Sequence, residues 1–188
     1  MHLALSQSNS QHSRTNPLFM VVRRAEAFLF DILLIFVVAG SCGFIIQRLI
    51  SDPSQTGMGI WINILWNFSL PSWLYFFLSD RSKTGRTIGK RIFKLQVISQ
   101  RKERLGWARA FGRTAIKLLP WEIIHFSAFA LSKDISYLSP IQLIGLSIGN
   151  GLAFVYLIVT ILTRGRRSVH DILLKTEVRV FERTTPEA

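Results

Sequence analysis

The sequence contains a single cysteine, Cys42, and few charged residues. One cysteine excludes an intramolecular disulfide and a cysteine-based metal site. Charged residues make up 18% of the chain, and 11 acidic residues stand against 23 basic ones. A disordered or nucleic-acid-coating chain of this basicity would have more charge and fewer aromatic residues than the 14 Phe and 5 Trp present here. The net charge of +12 therefore needs another explanation.

The sequence also lacks the patterns that indicate catalysis or a bound cofactor. It has no nucleophile paired with a base, and no clustered set of metal ligands. The segment Gly85-Arg86-Thr87-Ile88-Gly89-Lys90-Arg91 approaches a phosphate-binding loop. However, three residues rather than four separate its glycines, and an arginine stands where a Ser or Thr would hold magnesium. We therefore expect no enzymatic activity, no metal and no cofactor.

Long apolar runs are what the sequence does have. The first and last of four such segments are about 20 residues long, which at roughly 1.5 Å per residue matches the ~30 Å hydrocarbon core of a bilayer. The third is shorter and contains Glu122 and His125, so it also fits an interfacial or re-entrant helix. Pro71 is expected to kink the second. The four predicted spans cover residues 27–47, 58–79, 117–131 and 141–162.

Basic residues are concentrated on one side of these four segments. With four crossings, 21 of the 23 Lys and Arg residues lie on one side, and two, Arg48 and Lys133, lie on the other. The positive-inside rule assigns the basic side and both termini to the cytoplasm, with Asp52 and Lys133 in short outer loops. Cations at span ends are attracted to anionic lipid headgroups, so the charge requires no nucleic-acid partner.

The domain prediction is a single membrane domain over residues 17–183. Residues 1–16 are predicted to be a disordered polar tail, and residues 184–188 a short second tail. A cleaved signal peptide is the rival interpretation of the first apolar run, because Arg23 and Arg24 precede it and Ala39-Gly40-Ser41-Cys42 is loosely similar to a lipoprotein cleavage site. Asp31 inside that run argues against cleavage, as do the apolar residues that continue after the cysteine.

The segment between the second and third spans is predicted to contain a short strand and an amphipathic helix. Residues 93–98 have strand-like composition and residues 176–181 alternate with a period of two, so we expect them to pair as a cytoplasmic β-ribbon. Arg109, Arg113 and Lys117 recur every four residues, which is typical of an amphipathic helix with its cations at lipid headgroups. An anionic-ligand groove stays open as the alternative.

Three blocks of the sequence have a recognisable order and spacing: Arg24 to Asp31 at the start of the first span, Thr87 to Val97, and Val169-His170-Asp171 continuing to Val178. Together they resemble the RDD family of bacterial membrane proteins, which is named for one arginine and two aspartates. The resemblance assigns the arginine to Arg24 and the aspartates to Asp31 and Asp171. Lys94 falls where many members have a glycine, and Ser168-Val169 replaces a more usual Gly-Leu. The resemblance implies a multi-pass inner-membrane protein, with transport proposed for the family and cation–proton exchange suggested for some members.

Arg24, Asp31 and Asp171 are candidates for one ion or proton site at the cytoplasmic side. Arg24 and Asp31 are seven residues apart, so a helix places them on one face. A carboxylate in the hydrocarbon costs about 2.5–3.5 kcal/mol on insertion scales, so Asp31 needs a partner. Two interpretations stay open, an ion site and a buried polar clamp that fixes helix packing. The partners considered for Asp31 are Arg23, Arg24, Asn63, Asn67 and the basic tail.

Three further motifs have both structural and functional interpretations. Glu122 and His125 are one helical turn apart, which suits a proton relay or a carboxylate near a helix start. Ser168-Val169-His170-Asp171 has the form of a capping box, so Asp171 is also a candidate helix cap. Gly145 and Gly149 form Gly-x-x-x-Gly, which permits tight packing against another helix.

The sequence as a whole predicts an all-α membrane protein, a bundle of four transmembrane helices with a cytoplasmic amphipathic helix and a short β-ribbon. The predicted function is transport of an ion or small solute through an Asp- and Arg-containing bundle. The alternative is a non-catalytic scaffold or assembly partner of a larger membrane complex. Four spans form a small bundle, so a homo-oligomer or a larger complex is expected, in a bilayer with anionic headgroups.

Overall fold

The computed structural model describes residues 17–49, 57–99, 105–132 and 137–181. Both predicted tails lie outside the described residues, as do Asp52 and Lys133.

The chain folds into helices joined by a two-stranded ribbon. In the first half, helix α1 is Pro17–Leu49, α2 is Gly57–Ile64, a π-helical segment is Leu65–Ser69, α3 is Leu70–Arg81, α4 is Ile88–Ile92 and strand β1 is Leu95–Ser99. In the second half, α5 is Trp107–His125, a second π-helical segment is Phe126–Ala130, α6 is Pro140–Leu162, α7 is Val169–Leu173 and β2 is Thr176–Val180.

Helices α1 and α6 are long and apolar enough to cross a membrane. Their candidate spans are Pro17–Ile45, with a mean hydropathy of 2.4, and Pro140–Leu162, with 1.9. Of the most apolar 18-residue stretch of each helix, only 22% in α1 and 6% in α6 is buried inside the protein. Soluble proteins rarely expose apolar surfaces of this size, so the two helices do not have the burial of a soluble protein's core helices.

The second predicted span contains Pro71 next to a π-helical segment, and the third contains Pro120 inside α5. The first π-helical segment ends two residues before Pro71. Proline lacks the N–H of a regular helix and its ring collides with the carbonyl four residues earlier, so a wider turn relieves the collision. The amphipathic helix predicted around Arg109 and Arg113 and the third predicted span are largely one helix, because α5 continues through Pro120 as far as His125.

The ribbon pairs β1 with β2 in antiparallel orientation, with Val97 opposite Val178. The predicted first strand began at Phe93, but α4 ends at Ile92 and Lys94 has a positive φ of 50°, so the extended backbone begins only at Leu95. Leu95, Val97 and Val178 are buried together with Met20 and Ala27 of α1. The ribbon therefore closes one end of the helix bundle.

The two halves of the chain repeat one local structure. Thr87 and Ser168 cap short helices, and each helix leads through a lysine of positive φ, Lys94 or Lys175, into a strand. The N–H of Val97 donates to the Gly85 carbonyl at 3.3 Å, and the N–H of Val178 donates to the Arg166 carbonyl at 2.9 Å. Because Val97 pairs with Val178, its own counterpart, a local two-fold axis passes between these two residues.

Helix α6 lies very close to α5 at the Gly-x-x-x-Gly motif. A Cβ on Gly145 would collide with the hydroxyl of Ser127, and a Cβ on Gly149 would lie 2.6 Å from a side-chain carbon of Ile124. Only glycine fits such close backbone approaches, so this motif is where α6 packs against α5 and the second π-helical segment.

Candidate functional site

Five charged side chains form a buried ionic cluster beneath the ribbon. They come from five elements: Arg24 from α1, Asp80 from the end of α3, Lys90 from α4, Arg113 from α5 and Asp171 from α7. Three cations and two carboxylates thus meet where the helices end. Because the members are so far apart in sequence, the cluster joins both halves of the chain.

Arg113 is the centre of this ionic cluster. Its side chain is 1% exposed, and its guanidinium pairs with Asp80 on one side and with Asp171 at 2.7 Å and 3.1 Å on the other. The prediction of a lipid-headgroup contact for Arg113 is therefore wrong. The four-residue period placed it correctly on a helix, but a guanidinium that can bond two carboxylates at once is better satisfied inside the protein.

Asp171 has more than its predicted capping role. Its Oδ2 accepts the Ser168 N–H at 3.0 Å, which completes the capping box of α7. The same oxygen also pairs with Arg24, while Oδ1 accepts from Arg113 and, at 3.0 Å, from the Thr176 hydroxyl. Arg24 and Asp171, two of the three residues expected to form one site, therefore meet, and their contacts hold α7 against α1 and α5.

Lys90 and Asp80 complete the ionic cluster on its other side. The ammonium of Lys90 lies 3.3 Å from Asp80, and the Thr87 hydroxyl accepts the Lys90 N–H at 3.1 Å, which fixes the start of α4. Asp80 is fully buried, and its second oxygen pairs with Arg113. Each carboxylate of the cluster is thus bonded to two cations.

The electrostatics of the cluster favour its charged form. Burial alone would raise the pKa of Asp80 and of Asp171, but neighbouring cations, Arg113 above all, outweigh burial and hold both pKa values below the ordinary range. Burial would lower the pKa of Arg113, yet its two carboxylates raise it instead. Burial does lower the pKa of Lys90, against the attraction of Asp80.

His170 lies at the edge of the cluster in its neutral form. Burial lowers its pKa well below 6.5, and the charges of Arg113 and Arg24 act in the same direction against the attraction of Asp171. The ring Nε2 lies 3.4 Å from an Arg24 nitrogen, so a neutral ring with its proton on Nδ1 accepts that hydrogen bond. Nδ1 itself has no hydrogen-bond partner in the described part of the chain.

Asp31 is buried apart from the ionic cluster, with partners that the sequence did not predict. Its Oδ1 accepts from the Tyr75 hydroxyl at 2.5 Å and from the Gly89 N–H at 2.8 Å. A Cβ on Gly89 would collide with the Ala27 carbonyl, so only glycine brings this N–H to the carboxylate. The partners proposed for Asp31 from the sequence are therefore wrong. The Gly89 N–H that bonds Asp31 belongs to α4, a short helix that the sequence analysis did not predict. The second oxygen, Oδ2, has no hydrogen bond within residues 17–49, 57–99, 105–132 and 137–181.

A cavity of about 440 Å³ lies beside Asp31 and the cluster. Its walls are mostly apolar side chains of α1, α5 and α6, and its charged lining consists of Asp31, Arg24, Lys90, Arg113 and Lys117. Pockets of this size, apolar with a few convergent polar groups, are the usual form of small-molecule sites. The cavity thus connects the predicted site residues with the surface of the bundle.

Glu122 and His125, the residues of the predicted proton relay, do not belong to the ionic cluster. Glu122 accepts from Ser69 at 3.0 Å and from Trp73 at 3.1 Å, and His125 packs against the rings of Phe68 and Trp121. No hydrogen bond joins Glu122 to His125 in the residues that the structure describes. The predicted relay therefore has no direct link.

Arg109 and Lys117 contact protein rather than standing free at a surface. Arg109 donates to the Leu174 carbonyl at 2.6 Å and to the Ser99 hydroxyl at 3.2 Å, so it ties α5 to both strands at one end of the ribbon, where Ser99 pairs with Thr176. The Lys117 ammonium lies over the Phe76 ring, 3.1 Å from its centroid, and 5.0 Å from that of Phe28. These contacts leave headgroup binding by Arg109 and Lys117 a prediction.

Sequence reasoning missed Asp80, Lys90 and Tyr75. A signal for Asp80 was present, since it is an acidic residue directly after an apolar run in a chain with only 11 acidic residues. Thr87 before Ile88-Gly89-Lys90 was also a helix-start signal. Tyr75 offered none, because nothing in a helical apolar run distinguishes a tyrosine that bonds a carboxylate from one at the membrane interface.

Comparison with known proteins identifies the family of the chain. The model of the RDD family matches residues 20–175, which is most of the chain and contains Arg24, Asp31 and Asp171. No curated protein and no solved structure is significantly similar to the chain. Among the described residues, no group of three or more His, Cys, Asp or Glu side chains is arranged to hold a metal ion.

Proposed function

Because this chain belongs to the RDD family, as its three sequence blocks predicted, we propose that it transports an ion or small solute across the bacterial inner membrane. Family membership and the two apolar helices indicate a membrane protein. The proposed protein is multi-pass and non-enzymatic, has both termini in the cytoplasm, and uses Asp31 as the carboxylate that binds the ion or proton.

Helix lengths support four crossings. The helical path from Gly57 to Arg81 is about 36 Å long and that from Trp107 to Ala130 about 35 Å, at roughly 1.5 Å per residue. Each is sufficient for the ~30 Å hydrocarbon core. In the proposed topology these paths cross the membrane together with α1 and α6, and all four crossings have one end at the ribbon.

The geometry of Asp31 is the observation that carries the proposal. A carboxylate that only fixes helix packing would be expected to bond the protein through both oxygens, as Asp171 does. Asp31 instead uses one oxygen for the protein and lines the cavity while the other has no hydrogen bond in the described residues. A buried carboxylate with free bonding capacity at a cavity can take up a proton or a cation.

Flux through sealed vesicles tests this proposal. We expect the full chain in liposomes to dissipate an imposed pH or solute gradient faster than empty liposomes. Asp31→Asn should reduce that flux at least about tenfold, because the amide oxygen can still accept from Tyr75 and Gly89 but carries no charge. The matched control is Glu26→Gln, which removes an exposed carboxylate of the same helix.

Two results would contradict the proposal. Wild-type flux equal to that of empty liposomes, over a panel of protons, Na⁺, K⁺ and small organic anions, would favour the scaffold alternative. Equal flux in wild type and Asp31→Asn, with both proteins folded, would remove Asp31 from the pathway. Loss of thermal stability in Asp31→Asn without loss of flux would assign the residue to helix packing.

A further inference from the structure

The cavity beside Asp31 opens on the apolar surface of the bundle. Several of its lining residues are also exposed, among them Ala25 and Phe28 of α1 and Ala153 and Leu157 of α6. These two helices are the candidate membrane spans, and their exposed faces are apolar. A molecule entering the cavity between α1 and α6 would therefore come from the lipid rather than from water.

Counted as formal charges, the ionisable side chains in and beside the cavity carry one more positive than negative charge. Four cations, Arg24, Lys90, Arg113 and Lys117, face three carboxylates, while His170 is neutral. The carboxylates Asp80 and Asp171 pair with the first three cations. Lys117 has no carboxylate within ion-pair distance in the described ranges of the chain, and its ammonium rests on aromatic rings.

We propose that this cavity binds one anionic phospholipid from the cytoplasmic leaflet, with the phosphate at Lys117 and an acyl chain along the apolar wall. Charge complementarity selects the anionic headgroup, because Lys117 forms no ion pair with Asp31, Asp80 or Asp171, which are the three carboxylates of this region. The apolar wall selects a lipid over a free anion. The site is a further function of the cavity and does not depend on transport by the protein.

The position of Lys117 on α5 fits this assignment. It lies one turn beyond Arg113, whose bonds to Asp80 and Asp171 fix that part of the helix. The Lys117 nitrogen contacts the Phe76 ring, and a cation–π interaction of this kind is favourable for an ammonium in a mostly apolar place. The side chain is only half-buried, so a headgroup can reach it.

Lipid binding to the full chain in detergent tests the proposal. Native mass spectrometry would count retained phosphatidylglycerol and phosphatidylcholine for wild type, Lys117→Met, Lys117→Arg and Lys83→Met. Methionine keeps the length of the side chain and its contact with the rings, while Lys83→Met removes an exposed cation away from the cavity. We expect one phosphatidylglycerol on wild type, on Lys117→Arg and on Lys83→Met, and about fivefold weaker retention on Lys117→Met.

A second variant tests the place of binding without changing charge. Ala153→Trp fills the cavity from an exposed position of α6, and it should abolish retention even with Lys117 present. Equal retention of the two lipids by wild type would overturn the proposal, as would unchanged retention by folded Lys117→Met or Ala153→Trp. Displacement of the lipid by millimolar inorganic phosphate would also overturn it, because the site would then recognise a free anion. Flux measurements on Asp31→Asn are independent of these results.

Discussion

Arg113 bonds two carboxylates that come from different halves of the chain. Asp80 ends α3 and Asp171 lies in α7, and both are fully buried. Removing the guanidinium would leave two buried carboxylates with fewer cations than they need. Removing one partner of a buried ion pair usually costs far more free energy of folding than the intact pair contributes. The reason is that the remaining charge stays desolvated and unpaired.

Arg113→Met should therefore lower the free energy of unfolding by about 3–5 kcal/mol. The matched control is Arg109→Met, one turn earlier on the same helix, which loses hydrogen bonds to carbonyls and a hydroxyl and should cost about 1–2 kcal/mol. Unfolding in mixed detergent micelles measures both. Equal losses for the two variants would show that the ionic cluster does not depend on Arg113.

The neutral state of His170 makes stability depend on pH. Its folded-state pKa lies well below the ordinary 6.5, so the unfolded chain takes up a proton at a higher pH than the folded protein does. Stability from this residue is therefore fully present above pH 6.5 and is lost as the pH falls from there toward the folded pKa. The depressed pKa values of Asp80 and Asp171 act in the same direction, but only below their ordinary value of 3.8.

His170→Gln should flatten the loss of stability between about pH 6.5 and pH 5. Glutamine can still accept from Arg24 but does not titrate. Thermal unfolding of wild type and variant across this range measures the difference in slope, and His12→Gln in the N-terminal tail serves as the control. Identical slopes for wild type and His170→Gln would mean that the histidine does not lower stability on protonation.

At the scale of elements, local patterns predicted short structures better than they predicted where those structures dock. The alternation in residues 176–181 corresponds to strand β2, and the capping pattern before Asp171 corresponds to the start of α7. Both could be predicted because strand and cap formation depend on neighbouring residues. The helix at Ile88–Ile92 was missed, since five residues give no periodicity to detect. Its partner, Asp31, belongs to another helix, and no local pattern specifies such a contact.

The amphipathic part of α5 shows why the cluster was not predictable from periodicity. Arg109, Arg113 and Lys117 share one helix face by sequence, yet each has a different environment: ribbon carbonyls, two buried carboxylates and aromatic rings. A helical period identifies a face but not what covers it. The family resemblance supplied Arg24 and Asp171, while Asp80 and Lys90 required the three-dimensional structure.

At the scale of the whole molecule, the chain consists of two similarly built units. Each contains a pair of helical paths followed by a cap, a short helix, a lysine of positive φ and a strand. The two-fold axis between Val97 and Val178 relates the strands, and the cavity is lined by α1 and α4 of the first unit and by α5, α6 and α7 of the second. In several transporter folds the binding site likewise lies between internal repeats.

The repeat also has a consequence for membrane topology. All four helical paths have one end at the ribbon, where Asp31, Asp80, Arg113 and Ser168 lie. At the opposite end, a Cβ on Gly57 would lie 2.8 Å from the Ser132 side chain, so the start of α2 and the chain after the second π-helical segment are adjacent. The start of the second helical path and the end of the third therefore lie at the same end of the bundle.

Reporter fusions after Asp52 and after Lys133 should both report the periplasmic side. Each unit leaves the ribbon end with one helical path and returns with the next, so the two connections must share a side if the ribbon is cytoplasmic, as the excess of Lys and Arg predicts. Fusions after Lys102 and after Ala188 are the controls and should report the cytoplasm. A cytoplasmic signal after Lys133 would remove α5 and its π-helical extension as a crossing, and the two units could then not have the same orientation in the membrane.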